Sequence, residues 1–297
     1  MKSTKVKFMA ILLVAVLAVG VFGGCASNEE SNNDTSEKKE TVKLGYVNWA
    51  EGIAMTHLAQ AILQEKMGYD VETTLADVAP IFTSVAAGNT DAFMDVWMPV
   101  THETYMEKYG DDIVELTTSY EGARIGLVVP SYVEIDSIEE LKENSDMFNG
   151  EIVGIDAGAG LMTATETALE DYDLDLNLLT GSGPSMTAAL DKAIKAEEPI
   201  VVTGWTPHWM FARYDLKFLD DPKGVFGDAE EIRIITRKGF AEDMPEVNEF
   251  LSNFSMTDEE LSDLMGVVED GASPLEAATE WMNDNEAVVN EWIPTEK

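Results

Sequence analysis

The chain has 297 residues, and its 56 acidic against 19 basic side chains give a formal net charge of −37 at pH 7. That balance excludes a nucleic-acid partner, because phosphate backbones are repelled by a dense anionic surface. The same surface keeps a protein soluble in high salt, which makes a saline habitat one expectation. A single cysteine excludes an internal disulfide.

The chain opens with Lys2, Lys5 and Lys7 ahead of an uncharged apolar stretch from Phe8 to Phe22, followed by Gly23, Gly24 and Cys25. A basic start, a short apolar run and a small-residue cleavage site read as an export signal. The run is too short to span a membrane comfortably. The placement of Cys25 resembles the lipobox of bacterial lipoproteins, which implies acylation at that thiol and anchoring to the cell membrane. Phe22 stands where such a motif usually carries leucine, and the competing reading is a plain secreted protein with an incidental cysteine. Residues 26–40, "ASNEESNNDTSEKKE", are polar without apolar periodicity and read as a disordered tether.

From Thr41 onward, β-rich apolar runs alternate with helix-period segments, which predicts an α/β architecture. Strands are expected near 42–48, 71–75, 91–96, 124–129, 152–156, 175–180, 199–204 and 232–236, with helices near 53–66, 79–87, 160–172 and 184–196. Pro184 sits at a helix start, where its missing N–H costs nothing. The tail from Pro245 to Trp292 reads as helical throughout, with a capping box of Thr257 and Glu260. Two segments, 123–132 and 230–240, look like crossings between lobes. They predict one lobe from 41–126 plus 231–297 and a second from 127–230, with a single continuous sheet as the alternative.

Three strand-like runs end on tryptophan: "KLGYVNW" at Trp49, "DAFMDVW" at Trp97 and "VVTGW" at Trp205. Ligands of open α/β sheets bind outside the carboxyl ends of strands. One tryptophan there is most often core filler, whereas three in one topological position suggest a shared cleft. An indole-walled cleft suits a quaternary ammonium, which has no N–H to donate and a diffuse charge that π-faces attract. Any flat apolar ligand would fit similar walls. Trp209 reads as core packing.

A zwitterion also needs an anion site. "EIVGIDAGAGLMTATETALEDY" (151–172) is a strand, a glycine-rich loop and a helix, and the free N–H groups at a helix start attract anions. Gly158 and Gly160 are followed by Thr163 instead of a third glycine, so the dinucleotide fingerprint fails and a small carboxylate fits better. A tight turn without ligand is the bland alternative. His102, five residues past Trp97, could donate an imidazole N–H to that carboxylate or simply lie at a helix start. His57 falls on an apolar helix face, and His208 could orient its neighbour Trp205.

At "VNWAEGIA", "DVWMPVTH", "GIDAGAG" and "VVTGWTPHW" the chain resembles the glycine betaine-binding proteins of osmoprotectant ABC importers, over essentially all of the chain beyond the tether. The resemblance implies a two-lobed periplasmic-binding-protein-like fold (type II), with the ligand cleft between lobes joined by two crossing segments. It implies a cage of Trp49, Trp97 and Trp205 around the trimethylammonium. It also implies a carboxylate grip from His102 and the backbone amides of Gly160 and Leu161. The partners implied are a small zwitterionic quaternary ammonium ligand and the permease subunits of an ABC importer, with the receptor itself a monomer outside the cytoplasm.

Carnitine, choline, proline betaine or a sulfonium osmolyte are alternative solutes, and the anion site argues against choline. An enzyme on a similar frame is the remote alternative. The chain has no Gly-x-Ser-x-Gly elbow and no paired histidines at zinc spacing. In "DYDLDLN" (171–177), Leu176 and Ser182 stand where a calcium loop needs glycine and a bidentate acid. No cofactor and no metal are expected.

Overall fold

The computed structural model describes residues 40–271 and 273–295. The expected signal, the tether up to residue 39 and the lipidation site Cys25 lie outside them. Chain order begins β1 (Thr41–Tyr46), α1 (Ala50–Glu65), β2 (Asp70–Leu75), α2 (Val78–Ala86), β3 (Ala92–Met98), α3 (Glu103–Tyr109) and β4 (Ile113–Pro130). It continues with β5 (Glu151–Val153), α4 (Gly160–Asp171), β6 (Asn177–Leu179), α5 (Gly183–Ala196), β7 (Val202–Thr206), α6 (Met210–Arg213), β8 (Leu216–Phe218) and β9 (Glu230–Arg237).

The described strands form one nine-stranded sheet in the order β2-β1-β3-β9-β4-β7-β5-β6, with β8 paired to β4 off that path. The 18-residue β4 belongs to two halves at once. Its first part pairs antiparallel with β9, and its last part pairs antiparallel with β7 and β8. Three register shifts interrupt the β4–β9 ladder, after Glu115, Thr118 and Glu121. Bulges of this kind bend a strand and increase its twist. Parallel pairs occur on the outer flanks, β1 with β2 and β3, and β5 with β6 and β7. The fold is therefore a mixed α/β arrangement about one sheet. The expectation of lobes and the alternative of one sheet meet in β4, which is common to both halves.

Local chemistry explains the element ends. Ser182 caps α5 by accepting from the Ser185 N–H, and Pro184 occupies its first turn. The tail is not one continuous helical run. After α7 (Phe240–Asp243), it forms four helices, α8 (Pro245–Asn253), α9 (Asp258–Asp270), α10 (Pro274–Asp284) and α11 (Glu286–Trp292). Pro245 and Pro274 stand in the first turn of α8 and α10, where proline starts a helix but cannot continue one. Thr257 and Glu260 form the predicted capping box at α9. Helix α1 is apolar on nearly every side, with Ala54, Met55, Leu58, Ala59, Ile62 and Leu63 all buried. It lies between the sheet and the tail helices α9 and α10, so both of its faces find apolar cover. Leu58→Ala in such a place costs about 2–5 kcal/mol. This packing fixes the N-terminal end of α1, on which half of the site described next is built.

Candidate solute-binding site

Trp97 and Trp205 lie inside the last two residues of β3 and β7, and Trp49 is the N-cap of α1. The first strand ends two residues before its expected end and the other two end two residues beyond theirs, but the three indoles still converge. All three are 3–4 % exposed, and they wall one cavity together with Glu51, Thr101, Ala159 and Leu161. Trp49 and Trp97 come from one half of the sheet and Trp205 from the other. The free volume between them is about 20 Å³, room for little more than one water. A solute of betaine size enters only if the walls part.

Each indole N–H is taken by a carboxylate. Trp49 Nε1 donates to Asp156 Oδ1 at 3.0 Å, Trp97 Nε1 to Asp95 Oδ1 at 2.8 Å and Trp205 Nε1 to Glu51 Oε2 at 2.7 Å. The first and third bonds join the two halves of the sheet. The second lies within β3. Sequence reasoning missed all three acids, although each sits within two residues of a tryptophan or inside the glycine-rich loop. Glu51 and Asp95 are fully buried. Burial raises the Glu51 carboxyl well above its ordinary range, and the neighbouring Asp95 adds to the rise. Burial alone pushes Asp95 up to about 7.

His102 is buried, and its Nδ1 accepts the Trp97 backbone N–H at 2.9 Å. That bond assigns the ring proton to Nε2. Nε2 is buried and has no hydrogen-bond partner among the described residues. Burial lowers the imidazole to about 3, so the ring is neutral and offers a donor with no acceptor. It stacks on Trp49 at 5.6 Å but is not on the cavity wall itself. His208 repeats this pattern, accepting the Met210 N–H on Nδ1 and meeting Trp205 edge-on at 4.6 Å. His57 is buried on α1 and bonded to Gln60 on the same helix. Trp209 is buried beside Arg213 and lines a separate cavity of about 390 Å³ with Asn48, His208 and Glu269.

The start of α4 holds the other predicted residues. Gly160 and Leu161 are its first two positions, and no side chain caps them. Their N–H groups precede any i−4 carbonyl of the helix, which leaves an anion-attracting end at the cavity wall. Gly160 has a second role. A Cβ there would overlap the carbonyl of Thr101, so only glycine lets the α4 start meet the loop after β3. That loop is held by Glu230, whose carboxylate accepts the Val100 and Thr101 N–H groups at 2.8 Å each and the Thr101 hydroxyl. Glu230 opens β9 and gave no sequence signal of this task. Among the described residues there is no cluster of three or more metal-ligating side chains, and no helix is long and apolar enough to cross a membrane.

Residues 40–284 match the family described as the substrate-binding domain of ABC-type glycine betaine transport systems. The chain belongs to this family. A curated relative, the glycine betaine/carnitine transport binding protein GbuC of Listeria monocytogenes, is 51% identical over 154 residues, covering 51% of this chain and 51% of its own. The chain therefore matches about half the length of that relative. Among solved structures, lactococcal OpuAC in its closed-liganded conformation complexed with glycine betaine is 40% identical. Its TM-score is 0.81, over 86% of this chain and 100% of the other. The glycine betaine/L-proline-binding protein ProX of Borrelia burgdorferi is 37% identical, with a TM-score of 0.82 over 86% and 97%. Members of this family are solute-binding receptors of importers and work outside the cytoplasm.

Proposed function

We propose that this chain is the receptor of an ABC importer, binding glycine betaine or proline betaine and delivering it to the permease. The observation that carries the reading is the convergence of Trp49, Trp97 and Trp205 from both sheet halves onto one cavity, beside the uncapped start of α4. In this reading the trimethylammonium lies among the indoles, each face contributing roughly 0.5–2 kcal/mol. The carboxylate accepts from the Gly160 and Leu161 amides and from His102 Nε2, which has no other partner. Three faces and a charged hydrogen-bonded end together reach the ~8 kcal/mol of a micromolar affinity. The lobes that part and close are 41–126 with 231–297, and 127–230.

Titration calorimetry with glycine betaine tests this directly. Binding that Trp→Ala at 49, 97 and 205 weakens tenfold or more is expected, and unchanged affinity in all three variants would remove the cage. The relatives named for carnitine and L-proline make those solutes the competing readings. A thermal-shift screen across them, with choline and a sulfonium betaine, ranks the set. Cys25 is proposed as the lipid anchor. A Cys25→Ser variant should leave the membrane fraction, and retention there would refute anchoring through that thiol.

A further inference from the structure

The geometry points to Glu51 and Asp95 as the charge-selecting pair of the cage: without solute they share one proton, and a permanently cationic head displaces it. This rests on the betaine-receptor reading and extends it to what the site rejects.

The two carboxyls come from different elements, α1 and β3, and Asp95 Oδ2 packs against Gly52, the residue next to Glu51. Glu51 accepts from Trp205 and Asp95 from Trp97, and the Trp97 indole also acts on Glu51. Asp95 Oδ2 is buried without a partner and is covered by Gly52, where a Cβ would overlap it. Glycine at 52 is what allows the helix start to close over that oxygen. Two anions cannot both stand ionised in such a place without a cation. Among the described residues neither makes an ion pair with lysine or arginine. The groups facing the pair give no positive charge either. His102, on the loop after β3, is buried and neutral. Asp156, after β5, lies across the Trp49 indole and is itself acidic. Burial acts on both members of the pair in the same direction, so one proton is retained near neutral pH and belongs to the pair as a unit.

An onium head among the indoles supplies the missing charge. The carboxyl O–H bond then breaks, the proton passes to buffer and the charge inside the cage stays constant, one cation in and one proton out. A neutral head of the same shape does not release that proton, so the pair rejects it. Asp95 lies off the cavity wall, and Glu51, which reaches it, already gives Oε2 to the Trp205 N–H, so the cage offers a small cation few oxygen ligands in place of its water.

Calorimetry of the wild-type protein with glycine betaine at pH 7, in phosphate and in Tris, reads the proton directly. An apparent enthalpy that depends on the buffer, equivalent to about half to one proton released, is expected. Affinity should fall close to ~10-fold per pH unit between about pH 7 and pH 5. The probe 3,3-dimethylbutanoate keeps the shape and carboxylate of glycine betaine but has carbon in place of nitrogen. It should bind at least about 100-fold more weakly and release no proton. In the double variant Glu51→Gln/Asp95→Asn the buffer dependence should vanish and the gap between the two solutes should narrow. Equal enthalpies in both buffers from pH 6 to 8, with betaine bound, overturn the pair and leave the receptor reading intact. So does 3,3-dimethylbutanoate binding within a few-fold of betaine. No heat with any betaine in any buffer overturns both.

Discussion

Replacing Trp49, Trp97 or Trp205 by phenylalanine keeps an aromatic face in the cavity and removes one N–H. The three substitutions differ in what that N–H does. Trp49–Asp156 and Trp205–Glu51 connect the two halves of the sheet, whereas Trp97–Asp95 joins residues two apart on β3. If the halves part to admit a solute, as a free volume of about 20 Å³ requires, the first two bonds form on closing and the third persists throughout. A hydrogen bond to a charged group contributes about 1.5–3 kcal/mol, or roughly 10- to 150-fold in an equilibrium constant. Trp49→Phe and Trp205→Phe should therefore weaken betaine binding by about 10- to 100-fold with little change in melting temperature of the free protein. Trp97→Phe should change affinity only a few-fold. Its lost bond appears as a lower melting temperature instead, by roughly 3–10 °C for a chain of this size. Calorimetry and unliganded melts on the same three samples decide it. If Trp97→Phe loses as much affinity as the other two at an unchanged melting temperature, the division between closing bonds and standing bonds is wrong.

Other consequences follow from single contacts. Gly160→Ala places a methyl against the Thr101 carbonyl and should abolish betaine binding at ordinary concentrations. A normal circular dichroism spectrum separates this from misfolding. Glu230→Gln keeps one acceptor for three donors on residues 100 and 101. It should raise the dissociation constant about tenfold, by roughly one lost charged hydrogen bond, and increase amide exchange in that loop. Asp95 is raised to about 7 from an unfolded value near 3.9, so it opposes folding increasingly as pH rises between those values. Asp95→Asn should thus raise the melting temperature most above pH 7 and not below pH 4. His102 and His208, both lowered to about 3, act in the opposite sense. Their neutral burial supports the fold above about pH 6.5 and progressively less down to pH 3. A His102→Gln variant should lose part of that acid sensitivity, measured by melting between pH 7 and 4.

How much of this could be read from the chain follows from residue type. An indole at the end of an apolar run and a glycine-rich turn before a helix are rare enough to be noticed, and they pointed to the three indoles that line one cavity and to the start of α4 beside it. Acids are common in a chain with 56 of them, so Glu51, Asp95, Asp156 and Glu230 looked like ordinary surface. One did carry a signal: Asp95 interrupts "AFMDVW", a strand buried at every one of those positions, where an acid has no solvent to face. The first half of β4, "IVELTTSYEG", shows no clean apolar alternation, and three register shifts interrupt its ladder with β9. Its pairing with β9 is a long-range contact that local pattern does not encode.

The missed acids change what the cage is. A ring of bare indoles would bind any flat apolar body, whereas indoles whose N–H groups all end on carboxylates present negative faces backed by negative charge. In water that charge would attract sodium first, because a compact ion approaches a carboxylate more closely than an onium can. Here Asp95 and Asp156 stand off the cavity wall, and Glu51, which does line it, is buried and gives Oε2 to the Trp205 N–H. A small cation would have to give up its water without gaining oxygen ligands, while the methyls of an onium lose little on contact with the rings. On a protein carrying −37, selection has to come from the rings and from the commitment of the wall carboxylate of Glu51 to the Trp205 N–H. It follows that a second carboxylate on the wall, with the Trp205 N–H removed from Glu51, as in Trp205→Glu, should exchange betaine selectivity for salt sensitivity, with affinity falling as sodium rises. A Trp205→Glu variant whose betaine binding ignored sodium chloride would show that the rings do not perform this exclusion.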